Sequence, residues 1–254
     1  MKDTLLGLAQ TILSSMDSDE INSINDSVEA MQVARVIRSA YFDIVERANL
    51  PKHYSLVNLT ASGDATKPVL MTLPSSVNSV IWLKYDKRLS TDTAAEMRPV
   101  AWLSVEDFFT RMHELDATDT NYGTFTLTTN GSTSTITYGK TVAPTYFTSF
   151  DDNTVLFDSY DATVDTTLQS TKTLAYCRLS IPFSMVDTFV PDLEDAQFPL
   201  LLNEAKSLAW AELKQAQHAK AEVNARRGWT HLKNSRTISQ TKFVDTTPNY
   251  GRKK

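Results

Sequence analysis

The chain has 254 residues, 25 Lys and Arg against 30 Asp and Glu, and a formal net charge of −5. That length suits one or two domains with a sizeable core, and 41% hydrophobic with 22% charged residues is the composition of a folded chain rather than a disordered one. A single cysteine, Cys177, excludes an intramolecular disulfide and a Cys-rich zinc site, seven glycines argue against Gly-rich nucleotide loops and flexible linkers, and the net acidity argues against blanket binding to nucleic-acid phosphates.

The first fifty residues predict helices. Leu5, Leu8, Ala9, Ile12, Leu13 and Met16 repeat at helical spacing. The apolar stretch is too short for a membrane span and ends in Ser-Ser-Met-Asp rather than a small-residue cleavage site, so neither an export signal nor a bilayer anchor is expected. After a polar loop over 17–25, Asp26 is the expected N-cap of a second helix, with Glu29 as its capping-box partner. Met31, Ala34, Ile37, Tyr41, Ile44, Val45 and Ala48 give that helix one apolar face, and Asn49 and Pro51 end it.

From Tyr54 the period changes to that of strands, over 55–59 and 77–85, with turn residues between them. One helix interrupts, capped by Ser104 and buried through Val105, Phe108, Phe109, Met112 and Leu115. A hairpin follows over 124–138. Its Asn130-Gly131 pair suits a type I′ turn, which sets Phe125 opposite Ile136. Further strands are expected at 145–150, 154–158 and 173–180, with Pro182, Pro191 and Pro199 marking the exit.

Helical periodicity returns at Phe198. Leu202, Ala205, Ala209, Leu213 and Ala216 form a seam whose alanines admit a close neighbour, and a last helix is expected over 219–234. Residues 237–254 are polar and without period. The expected fold is therefore α+β. A helical body is made of the N- and C-terminal helices, 1–53 with 191–236. An antiparallel β-sandwich or barrel-like domain, 54–190, is inserted in it, and an extended C-terminal arm, 237–254, follows.

Charge is unevenly placed. Residues 151–195 carry nine acids and two bases, whereas 205–254 carry eleven bases and three acids. Candidate chemistry is sparse. Gly139-Lys140-Thr141 has the ending of a phosphate loop, but Ser134 stands where its first glycine belongs and Val142-Ala143-Pro144 begins no helix. Asp151, Asp152, Asp158, Asp161 and Asp165 offer oxygen ligands for a cation without an EF-hand's glycine or terminal glutamate, and read better as turn caps. His113-Glu114 lacks a second histidine at 117, and no Gly-x-Ser-x-Gly elbow exists. The expectation is no enzyme, no catalytic residue, no metal and no cofactor. The basic C-terminus, with Trp229, Phe243 and Tyr250 among its cations, suits either single-stranded nucleic acid or a protein surface, and a protein partner is favoured.

Three ordered blocks resemble one family. They are 4–34, with Ile12-Leu13-Ser14-Ser15-Met16-Asp17-Ser18-Asp19-Glu20-Ile21 at its centre; 144–169, with Pro144-Thr145-Tyr146-Phe147 and Phe157-Asp158-Ser159-Tyr160-Asp161; and 190–227, with Val190-Pro191-Asp192-Leu193, Leu202-Asn203-Glu204-Ala205-Lys206-Ser207 and Ala225-Arg226-Arg227. In this order they look like the head-to-tail adaptors, or tail tubular proteins A, of short-tailed bacteriophages. The resemblance implies a virion structural protein of the neck, assembled in the host cytoplasm. Twelve copies would form a ring joining the portal protein to the tail nozzle protein, with tail fibres as further partners. DNA would pass through its lumen without sequence-specific binding. It also implies portal docking by the C-terminal region, carried here by Arg226, Arg227, Trp229, Lys233, Arg236, Lys242, Phe243, Tyr250, Arg252, Lys253 and Lys254. A ring needs a heterologous interface, and the expectation is helix on helix, through Ala205, Ala209, Leu213 and Ala216 with Ile37, Tyr41 and Ile44. Two alternatives stand beside it. One is another neck or nozzle component. The other is a carbohydrate-binding receptor module displaying Trp82, Trp102, Tyr122 and Tyr146 on one face.

Overall fold

The computed structural model of the protein describes residues 2–89, 91–129, 131–151 and 153–241, and the side chains of all of these except Thr129 and 235–241. In chain order the elements are α1 (Leu5–Ser14), α2 (Val28–Ala48), β1 (Tyr54–Val57), β2 (Thr60–Ala61), β3 (Leu70–Thr72), β4 (Val77–Asp86), β5 (Met97–Trp102), α3 (Val105–His113), β6 (Tyr122–Thr129), β7 (Ser132–Gly139), β8 (Tyr146–Thr148), β9 (Thr154–Phe157), β10 (Thr173–Leu179), α4 (Phe198–Leu213) and α5 (Ala219–Thr241). The chain divides into two compact units, Met1–Leu50 with Ile181–Lys254, and Pro51–Ser180.

The first unit is helical and is built from both ends of the chain. Thr4 caps α1 by accepting the Gly7 amide at 3.1 Å. The free amides of Leu5 and Leu6 donate to the carbonyls of Phe189 and Asp187, at 2.7 and 3.2 Å. Residues 181–190 therefore belong with the helices and not with the expected β domain. Ile181, Phe183, Met185 and Phe189 pack on the helical core, and Phe183 meets Tyr41 and Phe189 ring to ring. Proline punctuation at 182 and 191 marked an irregular segment without saying which core it joins.

The cap of α2 also departs from expectation. Ser27, not Asp26, accepts the Ala30 amide, at 3.0 Å. Asp26 Oδ2 instead accepts the amides of Asn22 and Ser23, at 2.6 and 2.8 Å, closing the preceding loop. Glu29 receives the Ser18 hydroxyl at 3.0 Å rather than reaching back to the cap. Adjacent Asp and Ser compete for one capping position, and the local loop takes the carboxylate. Asn49 ends the helix in the left-handed region, at φ 46°.

Helix α2 packs on α1 and α4, and α4 packs in turn on α5. The tyrosine hydroxyl of Tyr41 accepts the Asp192 amide at 3.3 Å, tying the entry of α4 to the middle of α2, and burial pushes its phenol pKa up to about 12. Helix α5 continues through Thr241, five residues into the stretch expected to be an extended arm. Adding a residue to an existing helix is far easier than starting one, and no glycine or proline intervenes there.

The second unit is a sheet in the order β1-β10-β4-β5-β8-β9-β3-β2 and a separate hairpin of β6 and β7. The two end strands of the large sheet are consecutive in the chain, separated only by Asn58 and Leu59, so the sheet curls until its ends nearly meet. At that break the Leu59 amide is held by the Thr173 hydroxyl at 2.9 Å, and the Ala61 amide by Ser170 at 2.8 Å. Inside lie Leu59, Val69, Met71, Leu83, Phe157, Ala175 and Cys177, with Phe108 and Met112 of α3 in the same core. The sheet is not wholly antiparallel as expected, because β5 and β8 run parallel. The long excursion through α3 and the hairpin supplies the crossover that parallel neighbours require. Among the described residues no helix is long and apolar enough to cross a membrane.

Candidate interaction surfaces

Five of the seven residues expected to form the ring interface are used inside the subunit. Ile37, Tyr41, Ile44, Ala205 and Ala209 are fully buried, and the α2 and α4 stripes that carry them face each other. Their side chains cannot touch a neighbouring copy. Leu213 is half-buried and Ala216 exposed, beyond the end of α4.

The docking residues divide differently. Ala221, Ala225 and Leu232 of α5 turn inward, and Arg226, Arg227, His231 and Lys233 turn out to solvent. Arg226 is held by Glu222 one turn earlier at 2.5 Å. Trp229 is half-buried against the helical core, with the Arg47 guanidinium 6.0 Å from its ring centre. It is therefore more a packing residue than an anchor. The side chain of Arg236, and Lys242, Phe243, Tyr250, Arg252, Lys253 and Lys254, lie outside the described residues.

Between the start of α4 and the outer side of α5 runs a groove of about 560 Å³, with Glu194, Gln197, Pro199 and Asn203 on one wall and Arg227 and His231 on the other. Its floor exists because Gly228 lets α5 approach α4. A Cβ there would stand 3.0 Å from Leu200 Cδ1 and 3.2 Å from its Cβ. A glycine inside a helical pattern is the sequence signal for such an approach. Lys214 meets Glu29 at 3.7 Å. The Lys206 ammonium is easier to deprotonate than usual, through burial first and Lys220 second.

The acidic residues of the β unit are engaged in local structure. Asp86 Oδ1 accepts the amides of Arg88 and Glu96, at 3.1 and 2.9 Å, and its Oδ2 pairs with the Arg88 guanidinium at 2.9 Å. Asp158 Oδ1 accepts the amides of Thr145 and Tyr146, at 2.9 and 3.0 Å. Burial nevertheless holds its carboxyl above the usual range. Asp161 caps Thr163, Asp151 caps the turn at Asn153, and Asp165 pairs with Lys172. Asp152 lies outside the described residues. Among the described residues no three His, Cys, Asp or Glu side chains converge on a point where a metal could sit. Burial pushes the Cys177 thiol up to about 11, which suits a core residue and not a nucleophile.

The aromatic face expected for a glycan takes another form. Tyr54, Tyr176 and Trp82 stack across β1, β10 and β4, with ring centres 5.7 and 5.8 Å apart and planes within about 22°. The Lys84 ammonium lies 5.2 Å from the Trp82 ring centre. Trp82 thus has a ring and a cation against it rather than two open faces. The Arg111 guanidinium likewise covers Tyr146, at 4.5 Å. Trp102, 62% exposed, lines one shallow pocket of about 320 Å³ together with Trp82. No protein-family model matches the chain, and no curated protein matches it significantly.

Proposed function

We propose that the protein is a virion structural subunit, the head-to-tail adaptor of a short-tailed phage, forming a ring of twelve copies that joins portal to nozzle and continues the DNA channel. The observation that carries this reading is the outer side of α5. It displays Arg226, Arg227, His231 and Lys233 beside a groove ready to receive a partner, on the last helix of a body to which both chain ends contribute. An insertion that curls into a barrel-like unit gives the subunit a second surface for nozzle or fibres. Asp86, Asp151, Asp161 and Asp165 are each engaged in a turn or an ion pair, which suits a passive role. A lumen that passes DNA needs few unpaired inward cations, and Arg226 and Lys214 already meet carboxylates of their own chain.

The test mixes the full chain with the portal protein and measures the mass of the product. A stoichiometric ring is expected. Replacing Arg227 and Lys233 by Glu, or removing 242–254 while leaving α5 intact, is expected to reduce its yield at least about tenfold. A portal that stays bare at micromolar chain concentration refutes the reading.

A further inference from the structure

The hairpin of β6 and β7 carries a feature that this reading leaves unused. From Tyr122 to Gly139 there is no charged residue, in a chain where 22% of residues are charged. The two strands pair without a bulge, from Tyr122 opposite Gly139 to Thr129 opposite Ser132. Neither contains Lys or Pro. Charges, Lys, Pro and bulges are devices that keep a strand edge from pairing with another chain, and the hairpin has none of them; α3 packs on β7, whose residues 136–139 are buried, so the open part of that edge is Thr133 and Thr135.

The ladder shows which backbone groups face outward. The Lys140 amide donates to Asn121 O at 2.8 Å, just below the hairpin. Pairs two residues on repeat that hydrogen-bonded geometry, so the groups of Gly123, Phe125 and Leu127 point into the hairpin. Those of Thr124, Thr126 and Thr128 point off its β6 edge, and those of Thr133 and Thr135 off its β7 edge. Gly139, at the base of that edge, behaves as this alternation requires, with its amide donating outward to Asp158 O at 3.0 Å. Among the described residues no partner meets the outward amides and carbonyls of the five threonines, and all five residues are exposed.

The two edges match. Thr126 lies opposite Thr135 and Thr128 opposite Thr133 within one hairpin. A sideways translation by two strand widths, about 9.6 Å, therefore brings the β7 edge of one copy beside the β6 edge of the next at the same level and in antiparallel sense. We propose that the hairpins of neighbouring copies pair edge to edge in this way, β7 of one on β6 of the next. The occupant is a second copy, because the β7 edge of one hairpin meets the β6 edge of another at matching levels and neither edge carries a charge to repel it. Pairing unlike edges is heterologous and closes into a ring once each copy is also rotated about a common axis, whereas pairing like edges stops at a two-fold dimer. Each junction adds about four backbone hydrogen bonds. The inference rests on the adaptor reading for the existence of a ring, and it moves part of the ring contact from helices to strands.

Hydrogen exchange on the full chain tests it, comparing free subunit with ring assembled on the portal protein. Amides within 122–139 are expected to exchange at least about tenfold more slowly in the ring. Thr126→Pro removes an amide that the hairpin itself does not use, and should lower ring yield at least about tenfold with the monomer's circular dichroism unchanged. If that variant fails to fold, Thr126→Lys leaves the backbone intact, sets like charges around the ring, and should lower the yield in a salt-dependent way. Rings that form with the hairpin exchanging as in the free chain overturn the inference and leave the adaptor reading standing. So does hairpin protection in a complex holding one copy. No ring at all overturns both.

Discussion

Replacing Gly228 by alanine sets two opposed effects against each other at the floor of the α4–α5 groove. Alanine is favoured over glycine inside a helix by about 1 kcal/mol. The added methyl, however, would lie 3.0 Å from Leu200 Cδ1, 3.2 Å from its Cβ and 3.6 Å from its Cα. The first of these atoms can turn away, although Leu200 is itself buried and has little room. The other two move only with the backbone of α4. The helices must then part by a few tenths of an ångström along a seam that Ala221 and Ala225 also keep narrow. Overpacking of this kind costs about 1–3 kcal/mol. Gly228→Ala should therefore lose up to about 2 kcal/mol net, and Gly228→Val, with a larger side chain and no comparable propensity gain, clearly more. Urea denaturation followed by tryptophan fluorescence measures both, since Trp210 and Trp229 pack on the helical core. Ring yield on the portal should fall in parallel, because the displaced wall carries Arg227 and His231. A Gly228→Ala protein that is more stable by the full propensity gain would refute the close approach and with it the defined groove.

Four further substitutions test particular contacts. Burial raises the Asp158 carboxyl in the folded chain above its unfolded value near about 3.9. The stability tied to this group is therefore highest below that value and declines as pH rises toward the folded one. Asp158→Asn keeps an oxygen for the Thr145 and Tyr146 amides, so its urea midpoint should gain on the wild type as pH rises from the unfolded carboxyl's value toward the folded one. An advantage that shrinks over that range would contradict the assignment. Ser27→Ala should cost about 1 kcal/mol through loss of the α2 cap. Asp26→Ala should instead loosen the loop at Asn22 and Ser23, raising amide exchange there while α2 exchange is unchanged. Phe108→Ala should cost about 3–5 kcal/mol, because the ring is fully buried in the core of the β unit, and a loss under 1 kcal/mol in thermal unfolding would show that α3 is not part of that core.

The elements most legible in the sequence were those in which one local signal had one physical meaning. Asn130-Gly131 permitted only a tight turn, and Phe125 lies opposite Ile136 as the two-residue loop required. Ser104 caps α3 through the Asp107 amide at 3.1 Å, with no competing residue beside it. At Asp26 and Ser27 two adequate caps stood side by side, and the choice was made by a loop whose shape no propensity encodes. Residues 181–190 show the same limit at longer range, since their apolar side chains suited either core and were claimed by the orphan amides of α1.

The misreading of the ring interface has a more general cause. Period in the apolar residues reports that a stripe is buried, never which chain buries it. The α2 and α4 stripes were each good enough to serve a neighbour, and α2 and α4 satisfied each other instead. An intermolecular contact must then be sought where a surface withstands solvent in the monomer yet lacks what keeps other chains away. For a helix that signal is an exposed cationic side beside a groove, as on α5. For a strand it is a regular, uncharged edge with unmet amides, as at Thr124, Thr126 and Thr128. Neither follows from periodicity. The second is nevertheless readable from sequence as eighteen consecutive residues without a charge, once the register shows which backbone groups those residues leave open.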